Sequence, residues 1–143
     1  MKQYYAQPKI RNNWERLHEE YPEARQMTYN QKGYDYLMKN KYGIYVRIEE
    51  KWRRKGGKYE VTPAQEEIAD IFTLRTWDDK YYHMLAETYH RLKRPHSALA
   101  SGHREKSSEV PQKMFIENAT IDLRSLVDEV KHNFGTLSEN FLN

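Results

Sequence analysis

Asp79, His83, Glu87 and His90 recur at i, i+4, i+8 and i+11, a spacing that lines one face if the stretch is helical. Within it, Glu87-x-x-His90 is the interval by which one helix offers two ligands to a metal ion. A carboxylate-bridged di-metal centre needs such a motif from each of two helices, and the chain carries no second copy. The stripe is therefore expected to be the wet or structural side of a helix, with no bound metal. Nucleophilic chemistry fares no better. Ser97, Ser101, Ser107 and Ser108 fall in a Ser- and Pro-containing stretch without a positioned base. The chain has no cysteine, which removes thiol catalysis, disulfides and cysteine-type zinc sites. No glycine-rich phosphate loop occurs. The reading is of a non-enzymatic protein without a cofactor, and a small-molecule ligand is not expected.

Charge points to binding instead. From Lys39 to Lys58 the cations Lys39, Lys41, Arg47, Lys51, Arg53, Arg54, Lys55 and Lys58 meet only Glu49 and Glu50. A second basic stretch holds Arg91, Lys93, Arg94, Arg104 and Lys106 against Glu105, whereas residues 107–143 are net acidic. The whole chain carries a formal charge of only +3, so the charge is polarised along it. If KWRRKGGK is a hairpin tip, its cations can lie along a phosphate backbone and release counterions while Trp52 or Tyr59 stacks on a base. The expected contact set is Arg47, Lys51, Trp52, Arg53, Arg54, Lys55, Lys58, Tyr59, Arg91, Lys93, Arg94 and Arg104. The competing reading is a solvated basic face that serves solubility.

Two short stretches resemble known families. Gly43-Ile44-Tyr45 is similar to the first half of the GIY-YIG nuclease motif, with Tyr59-Glu60-Val61 where the second tripeptide would fall. Only Tyr59 of that second half is kept. The resemblance implies that Tyr45 and Tyr59 line a site, that Arg75 is its arginine on the following helix, and that a metal-holding glutamate lies downstream. Tyr89 to Leu99, YHRLKRPHSAL, resembles the segment closing the catalytic core of insertion-sequence transposases, but no spaced acidic triad precedes it.

The elements that must position these residues start from Thr62. Its hydroxyl caps a helix, Pro63 suits the first helical position and Gln65 closes a capping box. Ile68, Ile71 and Phe72 then form an apolar stripe. The stripe breaks at Arg75 and Asp79 and resumes as Tyr81, Tyr82, Leu85, Tyr89 and Leu92, with Thr76 and Asp79 as a second cap. This predicts two helices, or one helix kinked near Trp77, ended by Pro95. Upstream, Asn12 to Tyr21 reads as a short helix. Thr28 with Gln31 opens a second helical stretch, carrying Tyr36 and Leu37, that Gly43 stops. Ile44, Val46 and Ile48 alternate with polar neighbours, and Gly56-Gly57 turns the chain, predicting a β-hairpin over 44–61. The competing reading there is a helix from Ile48 to Lys55. Residues 95–111 read as a basic and polar loop and residues 1–10 as an extended arm. Residues 118–135 read as an amphipathic helix with Leu123, Leu126, Val127, Val130 and Phe134 on one face.

Leu, Ile, Val and Phe together make up less than a fifth of the 143 residues, while 12 tyrosines and 3 tryptophans supply large rings. Tyrosine buries its ring but needs a partner for its hydroxyl, so such a core is expected to finish its burial on something else. No apolar run reaches the roughly 18 residues of a membrane span. The start MKQYYAQPK lacks the apolar centre of a secretory signal, and a soluble cytoplasmic protein is expected. Together these features predict a single domain, α-dominant with a minor β part, of about five helices and one hairpin. Its expected role is that of an accessory or inhibitory protein docking on a larger protein or nucleoprotein assembly. The alternatives are direct DNA or RNA binding through the basic hairpin at 47–58, and a metal-dependent nuclease of the GIY-YIG type.

Overall fold

The computed structural model describes residues 14–26, 34–95 and 107–135. The arm at 1–10, most of the loop at 95–111 together with Arg104, and the tail after Gly135 lie outside the described residues. A first helix, α1, covers 14–20. Strands β1 (Arg25–Gln26), β2 (Tyr36–Lys39), β3 (Tyr45–Arg53) and β4 (Tyr59–Val61) precede helix α2 (Pro63–Ile68). Strands β5 (Ile71–Thr76) and β6 (Tyr81–Leu85) lead into α3 (Ala86–Leu92). The last elements among the described residues are β7 (Arg94–Pro95), β8 (Ser108–Val110), α4 (Gln112–Glu117) and α5 (Leu123–Val127). The fold is thus mixed α/β, with two sheets among the described residues, one of order β1-β2-β3-β5-β6 and one of order β4-β8-β7, and the α-dominant expectation is overturned.

The helical expectation fails where strands are buried on both faces. Ile71 and Phe72 are not one helical stripe. Ile71 packs with Leu17, Val46, Ile48 and Val127 on one side of the large sheet, whereas Phe72 packs with Tyr59, Tyr89 and Phe115 on the other. A strand covered on both sides loses the apolar-polar alternation that would mark it. Thr62, Pro63 and Gln65 do build the predicted capping box. The helix nevertheless stops after Ile68, because Asp70 is drawn back to Arg47. Thr76 and Asp79 close a β-turn rather than cap a helix: the Asp79 N–H donates to the Thr76 carbonyl at 3.0 Å and the Thr76 N–H to the Lys80 carbonyl at 2.9 Å. Asp79 adopts φ 64° there.

The predicted hairpin over 44–61 is also corrected. Residues 45–53 are a strand, not a helix, but β4 leaves for the second sheet and pairs with β8. Strand β3 pairs antiparallel with β2 and parallel with β5, the crossover between β3 and β5 running through β4 and α2. The C-terminal helix expected over 118–135 is likewise reduced to the short α5, Leu123–Val127, α4 having ended at Glu117. Asp122 caps α5 by accepting from the Ser125 N–H at 3.1 Å. The expected apolar face holds in part, since Leu123, Leu126, Val127 and Val130 are all buried, but Phe134 is 43% exposed. Asn40, in the β2-β3 connection, holds this end of the chain by donating to the carbonyls of Val127 and Val130 at 3.1 and 2.6 Å.

The tyrosines expected at interfaces are in several cases inside, among them Tyr34, Tyr36, Tyr59 and Tyr89. Two of their hydroxyls are satisfied internally. Tyr59 donates to the Glu49 carbonyl at 2.9 Å and Tyr89 pairs with the Ser108 hydroxyl at 2.8 Å. The second core is correspondingly aromatic, with Tyr59–Phe115 and Phe72–Tyr89 ring centroids 4.6 and 4.7 Å apart. Among the described residues no helix is long and apolar enough to cross a membrane.

Candidate nucleic-acid interface

The basic run is sorted by strand β3 into an inner and an outer end. Arg47, 1% exposed, sits in the core as the partner of Asp70. Its Nε and Nη2 donate to the two carboxylate oxygens at 3.0 and 3.1 Å. Asp70 also accepts from the Arg47 and Phe134 N–H groups and from the Asn133 side chain, while Arg47 Nη2 reaches the Gly135 carbonyl at 2.8 Å. A side chain at Gly135 would collide with the Glu67 carbonyl, so the chain passes there with no room to spare. Arg47 is thus a clamp on residues 133–135. Tyr59 is equally withdrawn, and Lys51 pairs with Glu49 at 3.3 Å.

The outer end is different. Arg54 and Lys55 stand exposed on the turn after β3, and neither joins an ion pair among the described residues. The turn is held by backbone contacts that spare their side chains. The Gly57 N–H donates to the Arg54 carbonyl at 2.9 Å, and Gly56 supplies the left-handed φ of 79° that residues with a Cβ resist. Gln112 donates from α4 to the carbonyls of Arg54 and Gly57 at 3.0 and 2.8 Å. Arg53 folds back onto the Lys58 and Trp52 carbonyls, both at 2.8 Å.

The parallel register sets Arg53 beside Thr76, so the turn after β5 leaves the sheet at the same edge. There Trp77 is 53% exposed, and Lys55 Nζ lies 5.8 Å from its ring centroid. Asp78 and Asp79 in that turn are each held by a cation, Lys80 at 3.8 Å and Arg75 at 2.6 Å. Trp77 and Lys80 are absent from the expected contact set because a helical reading hides a turn. A tryptophan followed by Asp-Asp-Lys between two β-rich runs was the available signal.

The second basic stretch converges on the first through one carboxylate. Glu109, fully buried, is met by Lys58 at 3.4 Å and by Arg94 at 2.8 Å. Lys93 pairs with Glu66, and Arg91 is exposed on α3.

The remaining clusters bind protons or pack. Glu49 accepts from Gln65 at 3.2 Å and shares a hydrogen bond with Asp35. Burial, reinforced by the Asp35 charge, pushes Glu49 up to about 8. Burial also raises Asp35, against the pull of the Glu50 N–H and Lys51. His83 lies in β6, not on a helix, with Nδ1 2.7 Å from the Thr73 hydroxyl, and burial, with Arg16 nearby, lowers it to about 3. Asp79, His83, Glu87 and His90 therefore fall on a turn, a strand and a helix, and do not form one stripe. A cleft of about 570 Å³ is lined by Glu66, His90, Lys93 and Phe134. In it the His90 ring stacks on Phe134 at 4.7 Å, and both ring nitrogens face Glu66.

Of the residues singled out by the nuclease resemblance, Tyr45 opens β3, Tyr59 is buried in the other sheet, and Arg75 lies on a strand with Asp79 as its partner. The fold does not gather them in one place. Of the transposase-like segment, Tyr89 to Pro95 runs through α3 into β7, and the rest lies outside the described residues. Comparison with family models, with curated protein sequences and with solved structures finds no match for this chain.

Proposed function

We propose that this protein is a non-enzymatic accessory protein that docks on a nucleoprotein assembly by gripping the nucleic-acid backbone with the turn carrying Arg54 and Lys55. The observation that supports this reading is the investment made in an exposed turn. Arg53, Gly56 and Gln112 fix its backbone, while the two cations it presents make no ion pair among the described residues. A turn fixed in advance loses less entropy on binding. Arg53, Arg54, Lys55, Lys58, Arg75 and Lys80 outnumber the nearby carboxylates Glu60, Asp78, Asp79 and Glu109, which leaves an excess of positive potential at this edge.

Titration of labelled nucleic acid at several salt concentrations tests the proposal. Affinity should fall steeply with salt. Arg54→Glu combined with Lys55→Glu should weaken binding and flatten the salt slope by about one to two, roughly one for each phosphate no longer neutralised. Binding that ignores both salt and the double substitution would refute it. Retention of an acidic protein, but not of nucleic acid, by the wild type would transfer the same surface to a protein partner.

A further inference from the structure

A tryptophan half in water beside an outward lysine has a use that a grip on phosphates alone does not require. Trp77, 53% exposed, stands next to Lys55 at the end of the β3-β5 pair. Behind it on the sheet, Trp52, Arg75 and Tyr81 are successive cross-strand neighbours. The guanidinium groups of Arg75 and Arg16 lie 5.7 and 3.6 Å from the Tyr81 ring centroid. Rings and cations thus alternate across this edge of the molecule. In a duplex the faces of the bases are covered by one another, and a protein at the backbone meets phosphate and sugar. In a single strand every base offers a face on which an aromatic ring can stack, whatever its sequence.

Resting on the nucleic-acid reading above, we infer that the ligand is a single strand, DNA or RNA, whose phosphates meet Arg54 and Lys55 while an unpaired base stacks on Trp77. Asp78 and Asp79 follow Trp77 in the turn, but Lys80 and Arg75 compensate them, so the strand need not displace a bare carboxylate. Lys55, 5.8 Å from the indole centroid, is near enough to meet a phosphate adjoining a base stacked on the open part of the ring.

The test uses the full chain and four fluorescent probes, oligo-dT, oligo-dU, oligo-U and a duplex of equal length, followed by anisotropy at low salt and then across a series of rising salt concentrations. The single strands should bind about tenfold or more tightly than the duplex. Trp77→Ala should weaken single-strand binding by about tenfold and leave duplex binding unchanged. Trp77→Tyr, which keeps a stackable ring, should recover most of the loss. Wild-type tryptophan fluorescence should be quenched by either strand, and Trp77→Ala should lose much of that quenching. A preference between oligo-dT and oligo-U supports the inference in either direction, and oligo-dU, which shares its base with oligo-U, separates the effect of the sugar from that of the thymine methyl group. Equal affinity for the duplex with no effect of Trp77→Ala overturns the single-strand inference and leaves the backbone grip standing. No salt-dependent binding to any probe overturns both.

Discussion

Arg47 and Arg54 belong to one basic run, and strand β3 carries them to opposite environments roughly 23 Å apart, at about 3.3 Å per residue. Arg47 is sealed in the core by Asp70, a residue 23 positions further along the chain. Arg54 is turned outward by Gly56 and Gln112. Composition counts the two alike. What separates them is the partner the fold supplies, so the number of cations in a stretch says little about how many are available to a ligand. The inner end of the strand uses charge to fix structure, and the outer end uses structure to fix charge.

The largest effect should come from breaking the inner pair. Arg47→Ala leaves the Asp70 carboxylate buried among N–H donors without its cation, and also frees the Gly135 carbonyl. Removing one member of a buried pair typically costs about 3 to 5 kcal/mol. Chemical denaturation should show a loss of that order, with Asp70→Ala similar and the double variant less than additive. A loss below about 1 kcal/mol would mean that Arg47 is no more structural than Arg54.

Some of this contrast was legible in the sequence. The capping box at Thr62 was, because its three residues act locally. The alternation of Ile44, Val46 and Ile48 marked a strand, since Arg47 between them looked polar and outward. Its burial was not legible, because it depends on Asp70, and nothing in the local pattern announces a partner in another element. The same blindness turned β5 and β6 into helix. Ile71 and Phe72 face different cores, so their adjacency mimicked a helical stripe. At the candidate site Arg54, Lys55 and Trp52 were legible from composition. Trp77 was not, because its turn joins two strands read as helices, and its place beside Lys55 follows from the parallel register of β3 and β5.

A smaller effect separates buried from exposed charge by pH. Glu49, buried in β3, has its folded value pushed by burial up to about 8 against the usual 4.5, with Lys51 pulling the other way. The folded state then binds more protons than the unfolded between those values, so stability declines as pH rises through the interval and levels off above it. His83 works in the opposite sense. Its folded value near 3 lies below the unfolded 6.5, so its contribution is complete above pH 6.5 and is lost as pH falls toward 3. The two slopes oppose each other between about 4.5 and 6.5. From there to about pH 8 only the Glu49 slope remains of the two, on the order of 1 kcal/mol per pH unit at its steepest. Thermal unfolding across pH should show a decline in that upper window. Glu49→Gln, which keeps the shape without the titration, should flatten it. An unchanged decline in the variant would show that Glu49 is not its source.

The smallest effect on stability should be the reversal of the outer cations. Arg54→Glu with Lys55→Glu alters two exposed side chains, while the bonds that hold the turn use the Arg54 and Gly57 carbonyls and the side chains of Arg53 and Gln112. The substitution removes the approach of Lys55 to the Trp77 ring at 5.8 Å, worth about 0.5 kcal/mol at an exposed site. Surface changes of this kind usually fall within about 0.5 kcal/mol of the parent. Moving negative charge toward Lys58 and Lys80 should offset part of even that small cost. Denaturation of the double variant should therefore overlay the wild type at neutral pH, in the same protein whose Arg47→Ala variant is strongly destabilised. A loss above about 1 kcal/mol would place the outer cations in the fold alongside Arg47, and the turn would then be a structural joint whose charges are not held in reserve for a ligand.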